Sequence, residues 1–421
     1  MEVWIAATIF VVTYALIATD RLDKTLAALI GGLLMIAFHV IDQEEAFDAI
    51  DFNVIFLLAG MMILAGILSR TGFFQWVAIR AVKVAGGDPM RLLIVLCLIT
   101  AALSALLDNV TTVVLIAPVT LYIATVLRVS PLPFLISEIF ASNIGGTATL
   151  IGDPPNILIA SAARIDFATF ALNLGPIALI ILILFVVLMR LMFGRALEVH
   201  DDVRDEVLAL DEREVISDAG LLRRSLIVIT ITIVGFLLHG PLGYEPATVA
   251  LLGAAALMLV GGLEPEEVLE DVEWPTLFFF IGLFMLVEGV VQVGIIRALG
   301  DALFAATAGD QAISTIALLW LSGIASAIID NIPYTATMIP VVQQLGDQGL
   351  DTASLWWALA LGADLGGNAT IVGASANVVV ANLAARAGHP IAFAEFFRYG
   401  IPVVLVSLLA STVYLWVRYL S

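Results

Sequence analysis

The stretch "ASNIGGTATLIGDPPNILIAS", residues 141–161, lies inside an apolar segment (133–163) long enough to cross a bilayer, yet it carries two devices that stop a helix. Gly145-Gly146 lowers helix propensity, and Pro154-Pro155 removes two backbone donors. Irregular backbone at membrane depth is tolerated only where protein buries it or where it lines a cavity. Such a break exposes two half-helix ends, whose free N–H and C=O groups bind ions of either sign. Asn143, Thr147, Thr149 and Asn156 add neutral oxygens, and Asp153 adds a carboxylate. A lone segment of this kind could be a kink with polar caps.

It is not alone. "NIGGTATLIGDPPN" (143–156) meets "DLGGNATIVGASAN" (364–377) at a shift of 221, which repeats the polar set as Asp364, Gly366, Gly367, Asn368, Thr370, Ser375 and Asn377. Upstream, "DQEEAFDAIDFNVIFLLAG" (42–60) aligns with "EPEEVLEDVEWPTLFFFIG" (264–282) without a gap, at a shift of 222. The same 222 carries Asp108-Asn109 of "LSALLDNVTTVVLIAP" (103–118) onto Asp330-Asn331 of "IASAIIDNIPYTATMIP" (324–340). Chance likeness between apolar helices scatters Leu and Val matches; it does not place Asp-Asn, Gly-Gly, Thr, Gly and Asn in one order twice. A carboxylate at membrane depth costs at least about 2.5–3.5 kcal/mol by insertion scales, so paired Asp-Asn tips read as functional. Asp108, Asn109, Thr111 and Thr112, with Asp330, Asn331, Tyr334 and Thr335, are expected to approach the breaks from opposite faces as two related polar clusters. Glu138, five residues before Asn143, is a candidate proton relay; Glu288 reads equally as a structural pairing with a neighbouring helix.

Composition bounds the class. The chain has 421 residues, 61% of them hydrophobic and 13% charged, with a mean hydropathy of +1.08. Soluble domains sit nearer 45–50% apolar. The expected fold is an all-α polytopic membrane protein made of two inverted repeats, each with five transmembrane helices and one re-entrant hairpin, and with broken helices at the midplane. The first repeat spans 1–193 (hairpin about 91–128, broken helix 133–163), the linker 194–224, and the second repeat 225–421 (hairpin about 312–346, broken helix 353–385). The N-terminal "MEVWIAATIF" reads as a retained helix, because it lacks a basic n-region and a small-residue cleavage site.

Five crossings per half turn the second half upside down. Basic residues test this, since they concentrate on the cytoplasmic side. Of 18 Lys and Arg, 15 fall on one side, leaving Arg164, Arg297 and Arg418 for the other. Both termini are therefore expected outside, the linker in the cytoplasm, and the chain in the cell (inner) membrane in contact with lipid. The net charge of −19 reads mostly as solvated loops, and it offers no basic patch for nucleic acid. A single Cys97 and scattered histidines exclude a disulfide, a cofactor or a metal cluster beyond a transported or coupling sodium.

The motifs "LSALLDNVTTVVLIAPV", "SNIGGTATLIGDPPNILI", "SAIIDNIPYTATMIPV" and "GGNATIVGASANVVV" resemble the melanosomal P protein and its prokaryotic relatives. That group stands with arsenite permeases and NhaD-type antiporters in the ion transporter superfamily, beside the dicarboxylate and citrate carriers. The resemblance implies hairpins and broken helices in a moving unit against a scaffold that often dimerises. For an arsenite permease it also implies a soluble ATPase partner. Carboxylate carriers of the superfamily bear a Ser-Asn-Thr tip where this chain has Asp-Asn-Val-Thr and Asp-Asn-Ile-Pro, and neither tip nor break contains Arg or Lys. The expectation is a proton- or sodium-coupled secondary transporter of a small inorganic ion or hydroxide. Arsenite/antimonite efflux comes first, sodium/proton antiport second, and a citrate/dicarboxylate carrier or an anion channel behind. An enzyme is not expected, because the Tyr-Asp and Gly-x-Gly-Asp motifs of intramembrane aspartyl proteases are missing.

Overall fold

A computed structural model describes residues 1–19, 21–194, 212 and 214–421. The described residues are helical throughout, with no strands. Six helices are long and apolar enough to cross a membrane: Phe52–Arg70, Asn109–Val126, Phe167–Phe193, Ala219–Leu242, Trp274–Gln292 and Phe393–Leu420. Others are shorter. Lys24–Ala37 has 14 residues, about 21 Å at the helical rise, because the chain leaves the helix at Phe38 and turns with His39 at φ 56°.

Half of the described α-helices are capped by an aspartate side chain. Asp23, Asp42, Asp51, Asp88, Asp108, Asp166, Asp218, Asp310, Asp330 and Asp351 each accept a backbone N–H of the first turn, and Asp42 forms a reciprocal box with Glu45. Part of the acidity read as solvated loop is thus fixed at helix starts, where it satisfies orphan donors and faces the positive end of the helix dipole.

The element order runs twice. Lys24–Ala37 and Phe52–Arg70 are followed by Phe73–Ala85, by the helix pair Pro89–Ser104 and Asn109–Val126, by Leu132–Gly146 with Pro154–Ala163, and by Phe167–Phe193. Pro246–Gly261 and Trp274–Gln292 are followed by Ile295–Ala306, by Gln311–Ser326 and Asn331–Asp347, by Thr352–Gly366 with Ser375–Arg386, and by Phe393–Leu415. Phe73–Ala85 and Ile295–Ala306 were not foreseen, because each carries charge on one face and reads as loop in a search for spans. Each opens at a glycine with positive φ, Gly72 at 81° and Gly294 at 79°. The helix Ala219–Leu242 starts inside the span read as linker; 195–211 and 213 of that span lie outside the described residues.

Packing between the halves is reciprocal. Lys24–Ala37 lies along Trp274–Gln292, while Phe52–Arg70 lies along Pro246–Gly261. Asn109–Val126 meets Ser375–Arg386, while Asn331–Asp347 meets Pro154–Ala163. Exchanging the halves turns each contact into its counterpart. Within each half the first arm of the hairpin packs on the first segment of the broken helix, and glycine sets the spacing. A Cβ at Gly145 would stand 2.2 Å from the Ala101 carbonyl oxygen, and one at Gly366 2.4 Å from that of Gly323. Gly145→Ala and Gly366→Ala should therefore each lower stability by about 1–3 kcal/mol, the usual range for overpacking. Gly175→Ala, where the nearest atom would be 3.8 Å away, should keep stability or raise it by up to about 1 kcal/mol, the helix-propensity gain. The melting midpoint of detergent-purified protein is the measurement.

Candidate functional site

Both breaks are tied off in the same way. Asn156 donates its side-chain amide to the carbonyls of Gly146 (3.2 Å) and Thr149 (3.3 Å); Asn377 donates to Gly367 (2.7 Å) and Thr370 (2.8 Å). The Thr149 hydroxyl reaches back to the Ala105 carbonyl (2.5 Å) and the Thr370 hydroxyl to that of Ala327 (2.7 Å), which joins each break to its own hairpin tip. Thr147 bonds the carbonyl of Asn143 one turn back at 2.8 Å. Gly146 and Gly367 permit close approach of backbone to backbone: a Cβ would lie 2.5 Å and 3.0 Å from the carbonyl oxygens of Gly152 and Gly373.

The tips close over the breaks. Asp108 and Asp330 each cap the arm that follows, accepting from the amides of Thr111 (2.8 Å) and Ile332 (3.0 Å). Asn109 donates to Asp153 Oδ2 at 2.8 Å and to Asn143 Oδ1 at 3.2 Å, while Asn331 donates to Asp153 Oδ1 at 3.2 Å. Asn143 in turn donates to Asn368 (2.9 Å) and Asn377 (3.1 Å) of the other half. The two clusters expected from the sequence are thus one network, with Asp153 holding both tips and Asn143 bridging both breaks.

Carboxylates crowd this centre. Asp153 is 1% exposed and Asp364 is fully buried, and each lies within electrostatic reach of the other. Neither oxygen of Asp364 makes a hydrogen bond of proper geometry, although Thr147 and Asn156 stand beside it. Asn109 Oδ1, Asn156 Oδ1, Thr112 Oγ1, Thr335 Oγ1 and Asn368 Nδ2 are also buried without partners. A buried carboxylate left unpaired is costly.

Not every expected residue faces the centre. Thr111 lines a cleft of about 260 Å³ with Arg70, Asp271 and Glu273. Tyr334 bonds Ser322 within its own hairpin at 3.0 Å. Glu138 accepts from Thr120 at 2.7 Å, with its second oxygen buried and unpartnered, between the hairpin and the broken helix. Glu288 accepts from Gln292, one turn along its own helix, at 2.6 Å.

Two residues outside the motifs reach the second tip. Lys24 donates to Ser375 Oγ at 2.6 Å and stands 3.8 Å from Asp330 Oδ2. Tyr14 bonds the Pro333 carbonyl at 2.7 Å and the Thr337 hydroxyl at 2.5 Å. The reading that no basic residue serves the tips holds along the chain but fails in space. The available signal was that Lys24 is one of only two lysines and follows a capping aspartate.

Apolar spanning helices around interrupted ones, closing on a buried polar centre, define an integral multi-pass membrane transporter. Its sequence agrees: the chain belongs to the citrate transporter family (CitMHS), whose pattern matches residues 14–362. It is 48% identical over 99% of its length to an uncharacterized transporter of Mycobacterium tuberculosis, covering 98% of that protein. It is 36% identical to the human P protein, again over 99% of this chain but 60% of that one. The fold matches the crystal structure of the Alcanivorax borkumensis YdaH transporter with a TM-score of 0.60 at 16% identity, covering 99% of this chain and 97% of that one. The family is one of transporters, not enzymes, and the likeness to the P protein read from the motifs extends over the whole chain.

Asn143 should act as a node. Asn143→Ala removes donors to Asn368 and Asn377 and an acceptor for Asn109, at about 0.6–1.7 kcal/mol for each interhelical bond. Combined with Asn377→Ala, the loss of melting temperature should be smaller than the sum of the single effects.

Proposed function

We propose that the chain is a secondary active transporter in which the carboxylate centre binds a small cation and exchanges it with protons. The observation that carries this is Asp364, wholly buried, with no hydrogen bond of proper geometry to either oxygen and Asp153 within electrostatic reach. Unpartnered oxygens of Asn109, Asn156, Thr112 and Thr335 supply further neutral ligands of the kind a sodium ion takes. The sequence put arsenite efflux first; we rank a cation ahead of it here, because neighbouring buried carboxylates suit a cation better than a neutral hydroxide. Arsenite transport, with its soluble ATPase partner, ranks behind. Movement of a carboxylate such as citrate together with a cation is the second reading. It is favoured by the family's description and by Lys24 and Ser375 at the start of the half-helix Ser375–Arg386. The halves are read as inverted repeats, a view supported by their reciprocal packing, with each hairpin re-entrant and Glu138 passing protons toward the centre.

Reconstituted vesicles carrying a pH dye test this. Addition of sodium or lithium should drive proton movement in the wild type, and Asp364→Asn should reduce it at least about tenfold, as for an essential intramembrane carboxylate. Response to citrate alone would establish the second reading; response to arsenite alone would restore the first ranking from the sequence.

Orientation is tested separately. Ser217 is exposed and hydrogen-bonded to the backbone of Arg70 and Thr71 at the end of Phe52–Arg70. With the linker cytoplasmic, Ser217→Cys in a Cys97→Ala background should resist an impermeant thiol reagent in intact cells and react after permeabilisation. Labelling from outside would overturn the orientation.

A further inference from the structure

The two tips differ in one respect that their shared motif hides. Asp330 has a cation beside it. Lys24, from the first turn of Lys24–Ala37, places its ammonium 3.8 Å from Asp330 Oδ2. That ammonium donates to Ser375 Oγ (2.6 Å), which donates to Asp330 Oδ2 (2.6 Å). Lys24 also lies 5.2 Å from the centre of the Phe279 ring and within electrostatic reach of Glu273. The ion pair is half-sheltered, with the lysine side chain 33% exposed and the aspartate 13%. Asp108 at the first tip makes no ion pair among the described residues. At the repeat shift of 222 the counterpart of Lys24 is Pro246, and at 221 that of Ser375 is Pro154, so neither partner has a counterpart at the first tip.

We propose that Lys24 is a tethered counter-cation for Asp330, which a transported or coupling cation must displace to reach that carboxylate. It is thus a specificity-determining residue of the second half. The inference rests on the cation-binding reading above. The geometry suits displacement: 3.8 Å is too long for a hydrogen bond, and the ammonium keeps Ser375 as a partner if a free ion takes the aspartate. Lys24 then sets a threshold, since a free cation must outcompete a charge held permanently at the tip.

Sodium-driven proton flux is compared across proteoliposomes of wild type, Lys24→Met, Lys24→Arg and Lys24→Met with Asp330→Asn, alongside sodium-induced stabilisation of the detergent-purified proteins. Lys24→Met should lower the half-saturating sodium concentration about fivefold to tenfold, as expected for losing a competitor worth around one decade of affinity. Lys24→Arg should stay near the wild type, and in the Asp330→Asn background Lys24→Met should shift nothing. A merely structural role would lower the maximal rate, leave the half-saturating concentration unmoved and persist beside Asp330→Asn. An unchanged or raised half-saturating concentration in Lys24→Met overturns the inference alone. A wild type with no sodium- or lithium-linked signal in either assay refutes the cation reading and the inference with it. If Lys24→Met fails to fold, Lys24→Gln is read by the same criteria.

Discussion

Two asparagine side chains make the fold possible. A helix interrupted deep inside a membrane protein leaves carbonyls that no water can reach, and each would cost several kcal/mol if left bare. Asn156 and Asn377 each meet two such carbonyls with one amide group, so the break becomes a fixed structure instead of a defect. Thr149 and Thr370 then pin the same loops to the hairpin tips. The polar centre, its burial and the convergence of both halves all presuppose these bonds.

The halves use one plan but place their charge differently. Asn143 corresponds to Asp364, and Asp153 corresponds to Ala374, so each break contributes one carboxylate at a position where its counterpart has none. Asp153 accepts from both Asn109 and Asn331, whereas Asp364 has Thr147 and Asn156 beside it but no hydrogen bond of proper geometry. One acid therefore organises the centre, and on the proposed function the other is left to bind. A strictly symmetric pair would have had to share both tasks.

Most of this arrangement was legible because it depends on residue type at a fixed spacing. Paired glycines, paired prolines and the Asp-Asn tips announce breaks and caps through local chemistry, and the 222-residue repeat doubles each signal. Aspartates start many of the helices near where the apolar runs begin, although Ala219–Leu242 starts inside the span read as linker. Lys24 and Tyr14 could not be read this way. Their partners lie 306 and 319 residues away in sequence (330 − 24; 333 − 14), and beyond the scarcity of lysine the local pattern does not separate them from an interfacial lysine and a buried aromatic. Phe73–Ala85 and Ile295–Ala306 escaped because amphipathic helices too short to span resemble loops when the search is for spans.

The bond from Asn331 to Asp153 crosses from the tip of one hairpin to the break of the other half, and Asn109 shares the same carboxylate. A hairpin that swung away by itself would tear one amide from that carboxylate and strand both groups in the dry interior. If the hairpins and broken helices travel together, every one of these bonds survives the journey. The interior therefore behaves as a single locked parcel. At its edge, Tyr14 and Lys24 touch the second tip and Asp51 accepts from Ser161. A path to the centre that spared every one of these bonds would have to open at that outer seam.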